Sequence, residues 1–317
     1  MKDSKSRGLI AAIASGISFG FIPIFSALLR NEGASSFEQT FLSLMYGALV
    51  GFIILLVYSQ LRKDDIIFSL DIKLQKTYLL QGFLLSTMLI AYLSSIAIGT
   101  PIGEVALLVQ IHPIITLLLA RIFVREKINA PKILALLIAL LGLVIITQPW
   151  QKTFFLSSVL GDLLAISIGI QFAVYLLIGK WSMKYRDQTS SIVSIAWVLC
   201  WSLLVGLPIL FVLALMPLPQ EIVAFSFTSL LSLTVLVLGF IIMIFGSLIS
   251  YGLIMVSNRF RIESYLTSIL LLGEPIAPII FGALILGEPI TIWYLIGGST
   301  LLLAILIVIL TSKKQEY

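Results

Sequence analysis

Ten apolar runs divide the chain, separated by short polar stretches. They lie at about 8–30, 38–61, 77–99, 102–124, 132–150, 156–179, 190–215, 229–256, 262–286 and 290–311. A helix needs roughly 20 mostly apolar residues to cross the hydrocarbon of a bilayer. The pattern therefore predicts an all-α integral membrane protein with ten transmembrane helices. No polar stretch is long enough to fold alone. The longest, at 62–76, reads RKDDIIFSLDIKLQK. MPLPQE at 216–221 reads as a Pro-rich turn, and the segment after it exceeds one span, which predicts an interfacial piece or strong tilt near 222–228.

Charge gives the spans a direction. With the N-terminus cytoplasmic, 18 of the 20 Lys and Arg fall on the cytoplasmic side, and only Arg30 and Lys152 fall outside. Cytoplasmic loops normally carry the excess of Lys and Arg. The reading is a multi-pass protein of the cell membrane (inner or plasma) with both termini cytoplasmic. Ten spans divide into two halves of five, 1–152 and 153–317. Five is odd, so the second half is inverted relative to the first. Inverted five-helix repeats are an architecture of alternating-access transporters.

Composition narrows the class. The chain is 60% hydrophobic and 11% charged, against about 25% charged in soluble domains, so too few charges remain to cover a soluble surface. The net charge of +5 resides in short clusters at span ends. These fit anionic lipid headgroups, making the bilayer a partner and nucleic acid not one. The first apolar run outlasts a signal-peptide core and has no small-x-small cleavage site, so it reads as a retained span. Cys200 is the only cysteine, which excludes an internal disulfide and a thiolate metal cluster. Gly16 with Gly20, Gly47 with Gly51 and Gly239 with Gly246 are placed for close helix approach. Trp150, Trp181 and Trp293 sit near span ends as interfacial anchors.

An internal repeat emerges when His112-Pro113 is set against Glu274-Pro275. A glutamate follows each proline by thirteen residues, at 126 and 288. Tyr92 and Tyr251 precede the prolines by 21 and 24 residues. Gly8 and Gly161, Gly16 and Gly169, and Phe19 and Phe172 share one offset of 153. With ALLVQIHP in the fourth span, GDLLAI opening the sixth and LLLGEP in the ninth, the whole chain resembles the EamA-type branch of the drug/metabolite transporter superfamily. The resemblance implies ten helices in two inverted repeats around a central cavity, and export of amino acids or other metabolites. One departure is that Arg125, rather than the glycine found before Glu288, precedes Glu126.

His112 and Glu274 carry the most information. Each is ionisable, lies near mid-span, directly precedes a proline and is the other's counterpart. Ionisable groups in hydrocarbon cost several kcal/mol and usually face a cavity or a partner. The proline removes a backbone N–H and disfavours a helical residue before it. The functional reading is a midplane substrate site that also takes up a proton, for which an imidazole with its ordinary midpoint of about 6.5 is suited. The alternative is a static interhelical hydrogen bond. Gln81, Gln110, Gln171, Tyr92, Tyr175 and Tyr251 are further substrate-binding candidates, with interhelical bonding as the competing role. Gln110, two residues before His112, is expected on a different face, and Gln171 and Tyr175 on a shared one.

Glu104, roughly 12 Å of helix from His112, and Glu263, roughly 16 Å from Glu274, are gate candidates at opposite mouths. A helix-start carboxylate near the positive dipole end is the alternative for both. Glu126 and Glu288 each precede a span and read as structural caps.

No predicted midplane holds a Lys or Arg, which disfavours phosphate-bearing substrates. A zwitterionic, neutral or cationic small molecule fits better. The chain lacks a Walker A motif and HExxH, and no cofactor or metal is implied. The expected function is secondary transport rather than catalysis: an exporter, either proton-coupled or an uncoupled facilitator, as a monomer or weak homo-oligomer. The rival reading is a membrane enzyme acting on lipid-linked substrate, whose densest charged cluster would be Arg62-Lys63-Asp64-Asp65.

Overall fold

The computed structural model describes residues 2–62, 72–100, 102–126, 129–150, 159–182, 190–216, 227–286 and 290–314. Glu288, Lys152 and most of the 216–228 connection therefore lie outside the described residues. Ten helices are long and apolar enough to cross a membrane: α1 Lys5–Asn31, α2 Ser36–Leu61, α3 Ile72–Ala97, α4 Glu104–Val124, α5 Ala130–Thr147, α6 Val159–Ser182, α7 Ser191–Leu215, α8 Leu233–Arg259, α9 Ser264–Ile285 and α10 Ile292–Thr311. No strand occurs among the described residues. Helices satisfy their own backbone groups, which is what an apolar solvent demands. Residues with large exposed apolar side chains, such as Phe52, Leu137, Phe211 and Leu302, ring the outside of the bundle. An even number of crossings returns the chain to its starting face. That face, holding both ends, is here the terminal face, and the other the distal face.

The helix pairings respect an exchange of the two halves. α5 packs along α10, and α2 along α7. α1 packs along α8, and α3 along α6. Exchanging spans one to five with six to ten maps the first two pairs onto themselves and swaps the other two, which is consistent with an inverted repeat. At the α5–α10 crossing, a Cβ on Gly142 would lie 2.9 Å from Gly297 O, and one on Gly297 2.7 Å from Gly142 O. Each backbone needs the other's missing side chain, the close approach that small residues permit between membrane helices.

Capping fixes several ends. Ser35 and Glu38 form a capping box at the start of α2, Ser35 N donating to Glu38 Oε2 at 2.8 Å and Glu38 N to Ser35 Oγ at 3.2 Å. Ser229 Oγ donates to the other oxygen of Glu38 at 2.6 Å, tying α2 to the chain before α8.

Candidate functional site

Two helices are broken at mid-span, for the same reason. In α4 the helical segments Ile102–Val109 and His112–Leu119 are separated at Gln110 and Ile111. In α9 the segments Ser264–Leu271 and Ile276–Phe281 are separated by Leu272–Pro275. Pro113 and Pro275 supply no N–H to the carbonyls of Val109 and Leu271, four residues back, and crowd them. Both carbonyls face a glycine of the other half, and Leu271 O accepts from Glu274 N at 2.9 Å instead. A Cβ on Gly169 would sit 2.7 Å from Val109 O, and one on Gly16 3.2 Å from Leu271 O. Gly20, one turn on, would bring its Cβ 2.5 Å from Glu274 O. The offset of 153 that relates Gly16 to Gly169 is thus the offset at which α1 and α6 receive the breaks of α9 and α4.

Beside these breaks lies a cavity with about 570 Å³ of atom-free space, its mouth included. Phe19, Phe172, Tyr92, Tyr251, Met88, Ser247 and Glu274 are among its walls. The lining comes from the middle and distal parts of α1, α3, α4, α6, α8 and α9, so the cavity occupies the centre and distal half of the bundle. Phe19, Phe172 and Tyr251 form a ring of edge-to-face contacts, with centroids 5.6 Å (Phe19–Phe172), 5.0 Å (Phe19–Tyr251) and 6.1 Å (Phe172–Tyr251) apart. Gly246 and Ser247 reach the wall from a π-helical segment, Ile244–Ile249, within α8. Such wide turns release carbonyls, and the one at Phe245 accepts from Ser18 Oγ at 2.7 Å and from Ser250 Oγ.

Glu274 is the one formally charged residue in the described lining. Gln110 Nε2 donates to its Oε2 at 3.2 Å. His112 is not in the wall. It is buried one layer behind, its ring edge-to-face with Phe172 at 4.8 Å and its Nδ1 2.6 Å from Ser268 Oγ. Ser268 Oγ donates onward to Thr116 Oγ1 at 3.4 Å, so the tautomer that fits carries its proton on Nδ1. Gln110 and His112 both bond to α9. The break turns the chain so that two residues expected on different faces of a regular helix meet the same neighbour.

The other sequence candidates separate into groups. Tyr92 and Tyr251 line the cavity. Tyr175 is fully buried behind Tyr251, with centroids 4.9 Å apart. Gln171 sits between α6 and α3, accepting from Thr87 Oγ1 at 2.5 Å. Gln81 is fully buried on the terminal side, near Gly179 and Asn258. Glu104 is fully buried at the distal start of α4.

The terminal side is closed by a polar layer that sequence reasoning does not assemble. Glu126 Oε1 accepts from Ser264 N at 2.9 Å, and Oε2 from Tyr265 N at 3.5 Å. It is a cap, but of α9, 138 residues on, rather than of the span that follows it. Arg125 permits this by adopting φ 58°, a left-handed turn that ends α4 and aims Glu126 across the bundle. Lys180 Nζ donates to Ile262 O at 2.5 Å. Lys132, fully buried, lies 3.6 Å from Glu263 and over the ring of Tyr265. Ser257 and Thr267 hydroxyls meet at 3.3 Å. The lysines give no sequence signal because each reads as one more positive charge at a span end. No cluster of three or more metal-ligating side chains occurs among the described residues.

Comparison with known proteins agrees with this architecture. Residues 6–148 match the EamA-like transporter family. A curated relative from Archaeoglobus fulgidus, an uncharacterized transporter, is 28% identical over 208 residues, covering 65% of this chain and 67% of its own. A chain of known crystal structure aligns with a TM-score of 0.67 over 96% of this chain and 99% of its own. At 17% identity, that likeness concerns the fold alone.

Proposed function

We propose, because residues 6–148 match the EamA-like transporter family and a relative is an uncharacterized transporter, that this multi-pass membrane protein moves a small metabolite by alternating access around Glu274. The observation that carries this reading is a cavity-facing carboxylate at a proline break, in a cavity walled by the middle and distal parts of six helices, with a polar layer on the terminal side. A static scaffold has no need of a charged group in an apolar cavity, where it costs several kcal/mol. One helix bundle would rock against the other about the α5–α10 and α4–α9 contacts, the halves 1–152 and 153–317 being interleaved through α1–α8, α2–α7 and α3–α6. The Glu126–Ser264 and Lys132–Glu263 contacts, which join the halves, would break as the terminal face opens.

The concentration of Lys and Arg makes the terminal face cytoplasmic. The cavity, in the centre and distal half, then lies toward the outside, and the polar layer toward the cytoplasm. The substrate is an amino acid or related zwitterionic, neutral or cationic solute, and the favoured direction is export. Proton coupling would use Glu274, with His112 behind it as a positioning residue through Ser268.

Counterflow in proteoliposomes preloaded with amino acids, nucleosides, polyamines or sugar phosphates tests this. Saturable exchange by wild type that is lost in Glu274→Gln supports the proposal, and its dependence on an imposed pH gradient separates coupled transport from an uncoupled facilitator. Exchange of sugar phosphates alone, or no exchange with any solute, would overturn it.

A further inference from the structure

The cavity wall is chemically lopsided. Of its described lining, Glu274 carries the only formal charge, and it is negative. Its hydrogen bond from Gln110 comes from a neutral amide at 3.2 Å, which leaves the charge uncompensated. Four aromatic rings, those of Phe19, Tyr92, Phe172 and Tyr251, share the same wall. The remaining lining is aliphatic, apart from Met88 and Ser247.

Each class of ligand meets this wall differently. An anion would face a like charge in a low-dielectric space, where the repulsion is barely screened. A zwitterion would satisfy Glu274 with its ammonium but find only the hydroxyls of Ser247, Tyr92 and Tyr251 for its carboxylate. Arg30, at the distal end of α1, is not in the wall, and its charge reaches the wall only at Tyr92. A neutral solute would leave the ionised form of Glu274 without a counter-charge. A bare metal ion would find one carboxylate and, among the described residues, no cluster of ligands. An organic cation answers every feature, because its charge pairs with the carboxylate, is attracted to aromatic faces, and leaves its apolar body for the rings and aliphatic side chains.

We infer that this cavity is a binding site for an organic monocation, an ammonium group on an apolar or aromatic body, held by Glu274 and walled by Phe19, Phe172, Tyr92 and Tyr251. The inference rests on the transport reading only for the role of the cavity. Binding at the site stands or falls separately from flux.

Three probes that share a phenylethyl body and differ in charge test it: phenethylamine, phenylalanine and 3-phenylpropionate. Equilibrium binding is measured to the full chain in nanodiscs, for wild type and Glu274→Gln. Phenethylamine should bind at least about tenfold more tightly than phenylalanine, and 3-phenylpropionate should not compete. Glu274→Gln should weaken phenethylamine about tenfold to a hundredfold, the worth of a hydrogen bond to a charged group, and erase the preference. Equal binding of phenylalanine or 3-phenylpropionate to wild type overturns the inference, as does undiminished phenethylamine binding to the variant or no binding of phenethylamine at all. If the variant does not fold, the charge series on wild type alone decides. Glu274-dependent amine binding without flux in proteoliposomes would sink the transport reading and leave the site. Saturable, Glu274-dependent flux of an amino acid with no amine binding would do the reverse.

Discussion

Phe19 and Phe172 meet edge to face in the centre of the bundle, their ring centroids 5.6 Å apart and their planes at 89°, and they occupy the same place in the two halves of the chain. α1 and α6 therefore cross the molecule's interior where an exchange of halves would leave the contact unchanged. Both rings line the cavity, and Phe172 also covers His112. Removing either ring should lower the unfolding temperature in detergent. Because each loses the same partner, the two losses should not add. A double-mutant cycle on Phe19→Ala and Phe172→Ala is expected to return a coupling of about 0.5–1.5 kcal/mol. Strict additivity would show that the contact is incidental.

The proline breaks are held by glycines. A Cβ at Gly20 would meet Glu274 O at 2.5 Å, and one at Gly169 would meet Ile111 Cγ2 at 2.5 Å and Val109 O at 2.7 Å. Backbone cannot rotate away as a flexible side chain does. Gly20→Ala and Gly169→Ala should each destabilise by about 1–3 kcal/mol, the usual cost of overpacking. A Cβ added at Gly298, in α10, would meet nothing within 4 Å, so Gly298→Ala should be neutral or mildly stabilising through helix propensity. Thermal unfolding of the three variants in one detergent gives the comparison.

Glu126 should behave as a latch on α9. Its carboxylate satisfies two of the backbone donors at the start of that helix, and loss of such a cap costs about 1 kcal/mol. Glu126→Gln keeps the shape and removes the charge. It should loosen the terminal seal, seen as faster labelling of Asn258→Cys, in a Cys200→Ser background, by a membrane-impermeant maleimide applied from the terminal side. Labelling no faster than in the parent would leave Glu126 a cap without a part in closure.

Lys132 and Glu263 should show the asymmetry of a partly buried pair. Lys132 is almost fully buried, and Glu263 is 29% exposed. Lys132→Met removes the cation beside a carboxylate that water still reaches, whereas Glu263→Gln removes this counter-charge from a buried ammonium. The second should cost more, on the order of 2 kcal/mol, and combining both substitutions should recover part of the loss. Urea or thermal unfolding of the three variants checks the order.

Much of this architecture is legible in the sequence, and the limit has a physical cause. Spans follow from apolar length. The two breaks follow from His112-Pro113 and Glu274-Pro275, because a missing N–H acts locally. Pairings across the bundle do not follow, since sequence periodicity places a residue on a face without saying what faces it. Glu126 reads as a cap, but of the wrong helix, because only Arg125's left-handed turn sends it toward Ser264. Gln171 reads with Tyr175 as one face, yet its hydrogen bond goes to Thr87 on α3. Ser268 and Thr116, which hold His112, carry no signal beyond being small hydroxyls in apolar runs.

The central claim is that one binding region faces the two sides of the membrane in turn. In a Cys200→Ser background, Ser247→Cys reports the cavity and Asn258→Cys the terminal seal, each probed with impermeant maleimide from either side. In the described conformation Ser247→Cys should label from the distal side only, with Asn258→Cys protected. A transported solute under counterflow should slow the first and speed the second from the terminal side. Labelling of both positions at once, or a solute that changes neither, would contradict alternating access.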